Sequence, residues 1–245
     1  MYITRFLSIA AGVAVMIGSV ACNRRNEAKE RVQAEREKWE ASLPDSLEKV
    51  KRQTDSIQND MQALTRQLDD LLPEFKYVDN PREVEGYYIA GAWAPSYPLK
   101  TTGVVARLTK SDKLELIAAL SGGAHFDRLR VTSGDRVAET SAVAHDQALN
   151  YRMEGLNTVC FSDSASNACA ELIADGGDIT IAYLEGDRQT GKLVYPKNSQ
   201  AVMALTWRLF STRSELLRDE RMIPMLAKKG AIISAKIDAI KDSEK

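Results

Sequence analysis

The chain has almost no charge of one sign to spare: 33 Lys and Arg stand against 34 Asp and Glu, a formal net charge of -1. Near-neutrality, with no basic stretch beyond mixed charges, excludes bulk nucleic acid as a partner, and no RNA or DNA module is recognisable. Histidine is scarce too. The only two imidazoles are His125 and His145. Neither belongs to a nucleophile elbow, and His145 stands next to Asp146, where chain neighbours point their side chains apart. No catalytic residue, and no enzymatic activity, is expected. Cysteine is limited to three residues, and the spacing of Cys160 and Cys169 is not that of a zinc knuckle. Ser121-Gly122-Gly123 lacks the strand-to-helix context of an anion nest and reads as a turn. The acidic residues Asp175, Asp178, Glu185 and Asp187 lack the spacing of a calcium loop, and turn chemistry accounts for them. Neither a metal nor a cofactor is expected.

One apolar run, Phe6 to Val20, follows the positive Arg5. It has the length of a signal peptide and is shorter than a comfortable membrane span, so it reads as an export segment. Its end, Ser19-Val20-Ala21-Cys22, resembles the lipobox of bacterial envelope lipoproteins. The small residue before Cys22 fits that pattern, and Ser19 stands where the family usually has Leu. The resemblance implies that residues 1–21 are removed, that Cys22 is diacylated and its new amino terminus acylated, and that the protein sits lipid-anchored in the bacterial cell envelope, on the periplasmic side or at the surface. Two or more acyl chains make such anchoring durable where one is marginal. Arg24 and Arg25 would then meet anionic headgroups at about 1 kcal/mol each. With Cys22 set aside for lipid, Cys160 and Cys169 form an even pair in an oxidising compartment. They read either as a disulfide, stabilising by roughly 2 to 3 kcal/mol in the chain-entropy model, or as two buried thiols.

Beyond the signal, two stretches carry a heptad rhythm. Leu47, Val50, Thr54, Ile57, Met61, Leu64, Leu68 and Leu71 alternate steps of three and four, a narrow seam that one or two partner helices must cover. From Arg24 to Glu40 charge dominates. Near the C-terminus Val202, Leu205, Leu209, Thr212, Leu216, Asp219, Ile223, Leu226, Gly230, Ile233, Ile237 and Ile240 repeat the step. Pro44 and Pro224 each lie about 28 residues from the intervening segment, about 42 Å along a helix, so the two arms are expected to kink at matching heights. The expected arrangement is an antiparallel two-helix stalk.

Between the arms the helical period gives way to short β-rich runs bounded by Gly, Asp, Asn and Ser. Strands are expected at Phe75–Val78, Tyr87–Ala90, Val104–Leu108, Leu114–Leu120, Arg128–Thr132, Arg136–Thr140, Leu149–Met153, Asn157–Phe161, Ile179–Leu184 and Lys192–Tyr195, with one helix over Ser164–Ala174 capped by Ser164 or Ser166. Tight turns pair such strands antiparallel, which favours a β-sandwich or flattened barrel. Tyr88, Trp93 and Tyr97 lie in or beside a proline-containing loop, raw material for a binding surface.

The expected fold class is α+β: a signal (1–21), a helical arm (22–73), an antiparallel β-sandwich-like head (74–196) and a second helical arm (197–245). The layout is similar to envelope lipoproteins that carry a small β domain on a helical stalk, which implies a tethered, non-enzymatic interaction or structural module. Its partners would be the membrane, through lipid on Cys22, and a protein or envelope polymer. The competing readings are an envelope enzyme built on His125 or His145, and an accessory subunit whose arm zippers onto a partner helix.

Overall fold

The computed structural model describes residues 21–81, 83–146 and 148–243, with side chains from Glu30 onward. The signal segment and the side chain of Cys22 lie outside the described residues. The chain divides into two compact units, one joining the residues up to Gln53 with those from Leu226 onward, the other running from Thr54 to Met225.

Helix α1 (Ala21–Ala41) stops just before Pro44, and α2 (Leu43–Leu71) carries that proline in its first turn, where a missing N–H costs nothing. The break expected there is present. Helix α4 (Lys197–Ser243) instead runs unbroken through Pro224, so that proline does not interrupt it. At 47 residues α4 is longer than α1 or α2 taken singly, with 21 and 29, so one arm is a single helix and the other is two. The heptad seams are nevertheless the covered faces. Every seam residue from Leu47 to Leu71 is buried or half-buried, while Ser46 is the sole residue between Pro44 and Leu71 outside the seam to share that status. In the first unit Leu43, Val50, Leu226 and Ile233 are buried, and Lys236 holds its ammonium 4.8 Å from the centre of the Trp39 ring.

The second unit is built on two antiparallel sheets. The larger has six strands: β1 (Phe75–Val78), β2 (Tyr87–Ala90), β3 (Gly103–Thr109), β4 (Leu114–Ser121), β7 (Asn150–Met153) and β8 (Leu156–Phe161), in the order β1-β2-β3-β4-β8-β7. The smaller has β5 (Arg128–Ser133), β6 (Arg136–Glu139), β9 (Ile179–Glu185) and β10 (Arg188–Val194), in the order β10-β9-β5-β6. Ten strands match the ten expected in position, and β10 begins four residues earlier than expected, from Arg188 rather than Lys192. The Thr190 region is a bulge in its pairing with β9, which breaks the alternation that would have marked it.

Strands β3 and β4 are buried on both faces, and each face has its own cover. Register places Val104, Ala106, Leu108, Leu116, Ala118, Leu120, Val159 and Phe161 on one face. The smaller sheet reaches that face through Tyr183, whose hydroxyl donates to the Gly103 carbonyl at 3.1 Å. It does not cover the face alone. Helix α3 (Ser164–Ala174) contributes Cys169, Ala170, Leu172 and Ile173 to the same core, and α4 contributes Met203 and Leu209, so the expected two-sheet sandwich becomes a mixed layer of sheet and helix. Asp163, not Ser164 or Ser166, caps α3, accepting the Ser166 amide at 2.8 Å. Burial works against its charge, but hydrogen bonds from Ser141 and Ser166 hold its carboxyl below the usual range.

Gly230, on the α4 seam, offers a direct test of the packing in the first unit. A Cβ there would meet Val50 Cγ1 at 3.5 Å and Leu47 Cδ1 at 3.9 Å, ordinary contact distances. Gly230→Ala is expected to stabilise the protein by about 0.5–1 kcal/mol, because alanine is the better helix former and the space accepts it. Denaturant unfolding followed by circular dichroism measures this. A destabilised variant would mean that α4 and α2 lie closer than described.

Candidate functional site

Two groupings on the β unit carry chemistry. The first lies on the other face of the larger sheet, where register sets Tyr87, Ile89, Val105, Arg107, Glu115 and Cys160 together. Arg107 is only 7% exposed. Its guanidinium donates to Glu115 at 2.6 Å, to Glu83 at 3.1 and 3.2 Å and to the Tyr97 hydroxyl at 2.9 Å, and it lies 4.2 Å from the centre of the Tyr87 ring. Burial alone would lower the Arg107 pKa, but Glu83, Tyr97 and Glu115 outweigh it and hold the cation charged. Tyr97 stacks edge-on against Tyr87 at 5.8 Å, and burial raises its phenol pKa.

Of the three aromatic residues that read as a binding surface in the sequence, this cage uses Tyr97. Trp93 is buried in the core, and Tyr97 is turned onto Arg107. Tyr88 projects from the opposite face, between the Tyr77 ring at 5.0 Å and the Arg213 guanidinium at 5.4 Å. The three do not share one surface. The signal that was missed is Arg107 itself: a charge inside the apolar run Val104–Leu108, placed across the turn from Glu115 of the next strand.

Cys160 belongs to this face, whereas Cys169 points from α3 into the core, and the two are free thiols rather than a disulfide. Alternation along β8 sends Val159 and Phe161 toward the α3 side and Cys160 away from it, which separates the sulfurs. Burial pushes both thiols up to about 12. The acidic residues Asp175, Asp178, Glu185 and Asp187 are likewise not a joint site, since they pair with Arg136, Lys197, Arg188 and Arg128 respectively. Ser121-Gly122-Gly123 is a turn, with Gly122 and Gly123 at φ 93° and 82° and the Gly123 amide given to the Gly155 carbonyl.

The second grouping brings the two histidines together. His125 and His145 are both exposed, with ring centres 6.0 Å apart and planes at 83°, in a shallow depression of ≈ 420 Å³ shared with Asp146, Tyr151, Arg152 and Met153. Asn150, buried at the start of β7, draws the two histidine-bearing loops to each other. Its amide donates to the Val143 carbonyl at 2.7 Å and to the Phe126 carbonyl at 3.3 Å. Its side-chain oxygen accepts from Asn157, which is fully buried, at 3.4 Å, and the Asn157 oxygen is left facing His125 Nδ1 at 3.2 Å. Asp146 closes the second loop by accepting the amides of Ala148, Leu149 and Asn150. Those amides, Asn150 foremost, hold its carboxyl below the usual range. Among the described residues neither imidazole shares a hydrogen bond with a hydroxyl, thiol or carboxylate.

No family model, curated protein or solved structure matches this chain.

The thiols give the check on this geometry. In a Cys22→Ser variant, Ellman's reagent is expected to react slowly with the folded protein and to count two thiols at once in guanidinium without reductant. Fewer than two in the unfolded, unreduced sample would mean a bridge.

Proposed function

We propose that this protein is a lipid-tethered component of a bacterial cell envelope that acts without catalysis, its helical arms serving as a spacer and its β unit as a binding module for a protein or an envelope polymer. The contact of opening and closing segments in the first unit carries this reading. Lys236 lies over Trp39 and Gly230 lies against Val50 and Leu47, residues more than 170 positions apart in sequence, and the apolar seams on both helices are covered. A narrow stripe of this kind suits helix pairing rather than a deep core. The two-helix stalk is the finer form of the same proposal.

The tether rests on Arg5, the apolar run Phe6–Val20 and Cys22 at its end. On the β unit, Tyr97 is taken up by the Arg107 cage and Trp93 by the core, which favours the depression around His125 and His145 as the recognition surface.

Labelled palmitate should enter the protein in its bacterial host and be lost in Cys22→Ala, with the variant shifting from the membrane to the soluble fraction. Retention of label by Cys22→Ala would overturn the tether. Crosslinking in intact envelopes is expected to trap the β unit's partner through positions around His145.

A further inference from the structure

The histidine depression is built in a way that recognition alone does not require. The carbonyls of Phe126 and Val143 can only accept, so the Asn150 atom facing both must be its amide nitrogen. That places the Asn150 oxygen toward Asn157, whose facing atom must then be its nitrogen. The Asn157 oxygen is therefore the atom left at 3.2 Å from His125 Nδ1, and it can only accept. Two carbonyls thus fix two amides in turn, and these fix the imidazole: His125 carries its proton on Nδ1 and keeps the lone pair on Nε2. A histidine held in one tautomer by a buried acceptor behind it is the arrangement that metal-ligating histidines share.

The second imidazole stands at the distance a common ion needs. Bonds of about 2.0–2.1 Å from one metal to each of two imidazole nitrogens set the ring centres about 5 Å apart at the tetrahedral angle and about 6 Å apart at an angle of about 140°. The observed separation is 6.0 Å, with the rings nearly perpendicular and both exposed. The same Asn150 that fixes the tautomer holds the backbone beside each histidine, so the spacing belongs to the fold and not to two independent side chains.

We propose that His125 Nε2 and His145 bind one borderline divalent transition-metal ion, of the Cu²⁺, Ni²⁺ or Zn²⁺ class, with water completing its coordination. Among the described residues no three His, Cys, Asp or Glu side chains gather around one point, so the site is a two-nitrogen one and open to solvent or to a partner's ligand. Arg152, which lines the depression without a carboxylate partner among the described residues, adds positive charge. That charge opposes every cation alike, and it is the donor set, two neutral nitrogens, that disfavours hard ions such as Mg²⁺ or Ca²⁺, which need several oxygen ligands, and leaves ions that neutral nitrogen donors hold. The order of affinity follows the ion series, with Cu²⁺ tightest. This inference does not depend on the lipid tether or on the absence of catalysis.

The test is calorimetric titration of the full chain in detergent with CuCl₂ and with ZnCl₂ in a non-chelating buffer. One ion per chain is expected, with Cu²⁺ preferred, and the electron paramagnetic resonance spectrum of the Cu²⁺ form should show coupling to two imidazole nitrogens. His145→Gln, at an exposed position, should retain the wild-type circular dichroism spectrum and weaken binding at least tenfold, and His125→Gln should do the same. Asn157→Ala should weaken it by about 10–100-fold if the variant folds, as loss of a supporting hydrogen bond does elsewhere. Unchanged affinity in both histidine variants, or no uptake of either ion, would overturn the site. So would binding of inorganic phosphate by the metal-free protein that is lost in Arg152→Ala and His145→Gln together, since that would make the depression an anion site.

Discussion

A buried arginine on a central strand constrains the β unit. Arg107 sits on β3, which is covered on both faces, and a guanidinium taken out of water costs several kcal/mol unless charge and hydrogen bonds offset it. The offset comes from two carboxylates, a phenol and an aromatic face, drawn from four places in the chain: Glu115 across the hairpin, Glu83 before β2, Tyr97 in the loop after it, and Tyr87 on β2 itself. Meeting that demand pins Glu83 and Tyr97, which flank β2, against Arg107. It also leaves Tyr97 half-buried, and the core takes Trp93.

With one face of the larger sheet closed by this cage, the opposite face is free to collect the rest of the unit. The smaller sheet, α3 and the start of α4 all meet there around Leu108, Leu116, Phe161, Ile173, Tyr183 and Met203. The outer strand β7 ends the larger sheet on the far side from β1, and it is this edge that holds the depression around His125 and His145. The histidine depression and the caged loop are therefore at different places in the unit, although the sequence invites the reader to look for binding among the aromatics.

Much of the fold was legible because local rules and packing agree. The period-two runs gave ten strands near their true bounds, and the Asp175-Gly176-Gly177 stop ended α3 where expected. The heptad seam named the covered face of α2 residue by residue, whereas the start of α4 also buries Gln200, Met203 and Thr206 outside its seam. What stayed hidden depends on contacts far apart in the chain. A proline alone does not decide where a helix ends: Pro44 falls in the first turn of α2, whereas Pro224 lies inside α4, which continues past it. Which element covers a sheet face is likewise a tertiary matter, and helices took part of a face that alternation alone would assign to strands. The meeting of His125 with His145 is set by Asn150 and Asn157, two residues whose sequence neighbourhood reads as ordinary turn chemistry.

The dependence of the loop on Arg107 can be measured residue by residue. Hydrogen exchange on Arg107→Ala, compared with the native chain, should show amides in Gly91–Lys100 losing protection at least tenfold while those of β4 and β9 keep theirs, alongside a global destabilisation of about 3 kcal/mol from the stranded carboxylates. Equal protection of that loop in both proteins would contradict the account, because the aromatic segment would then be held by something other than the buried cation.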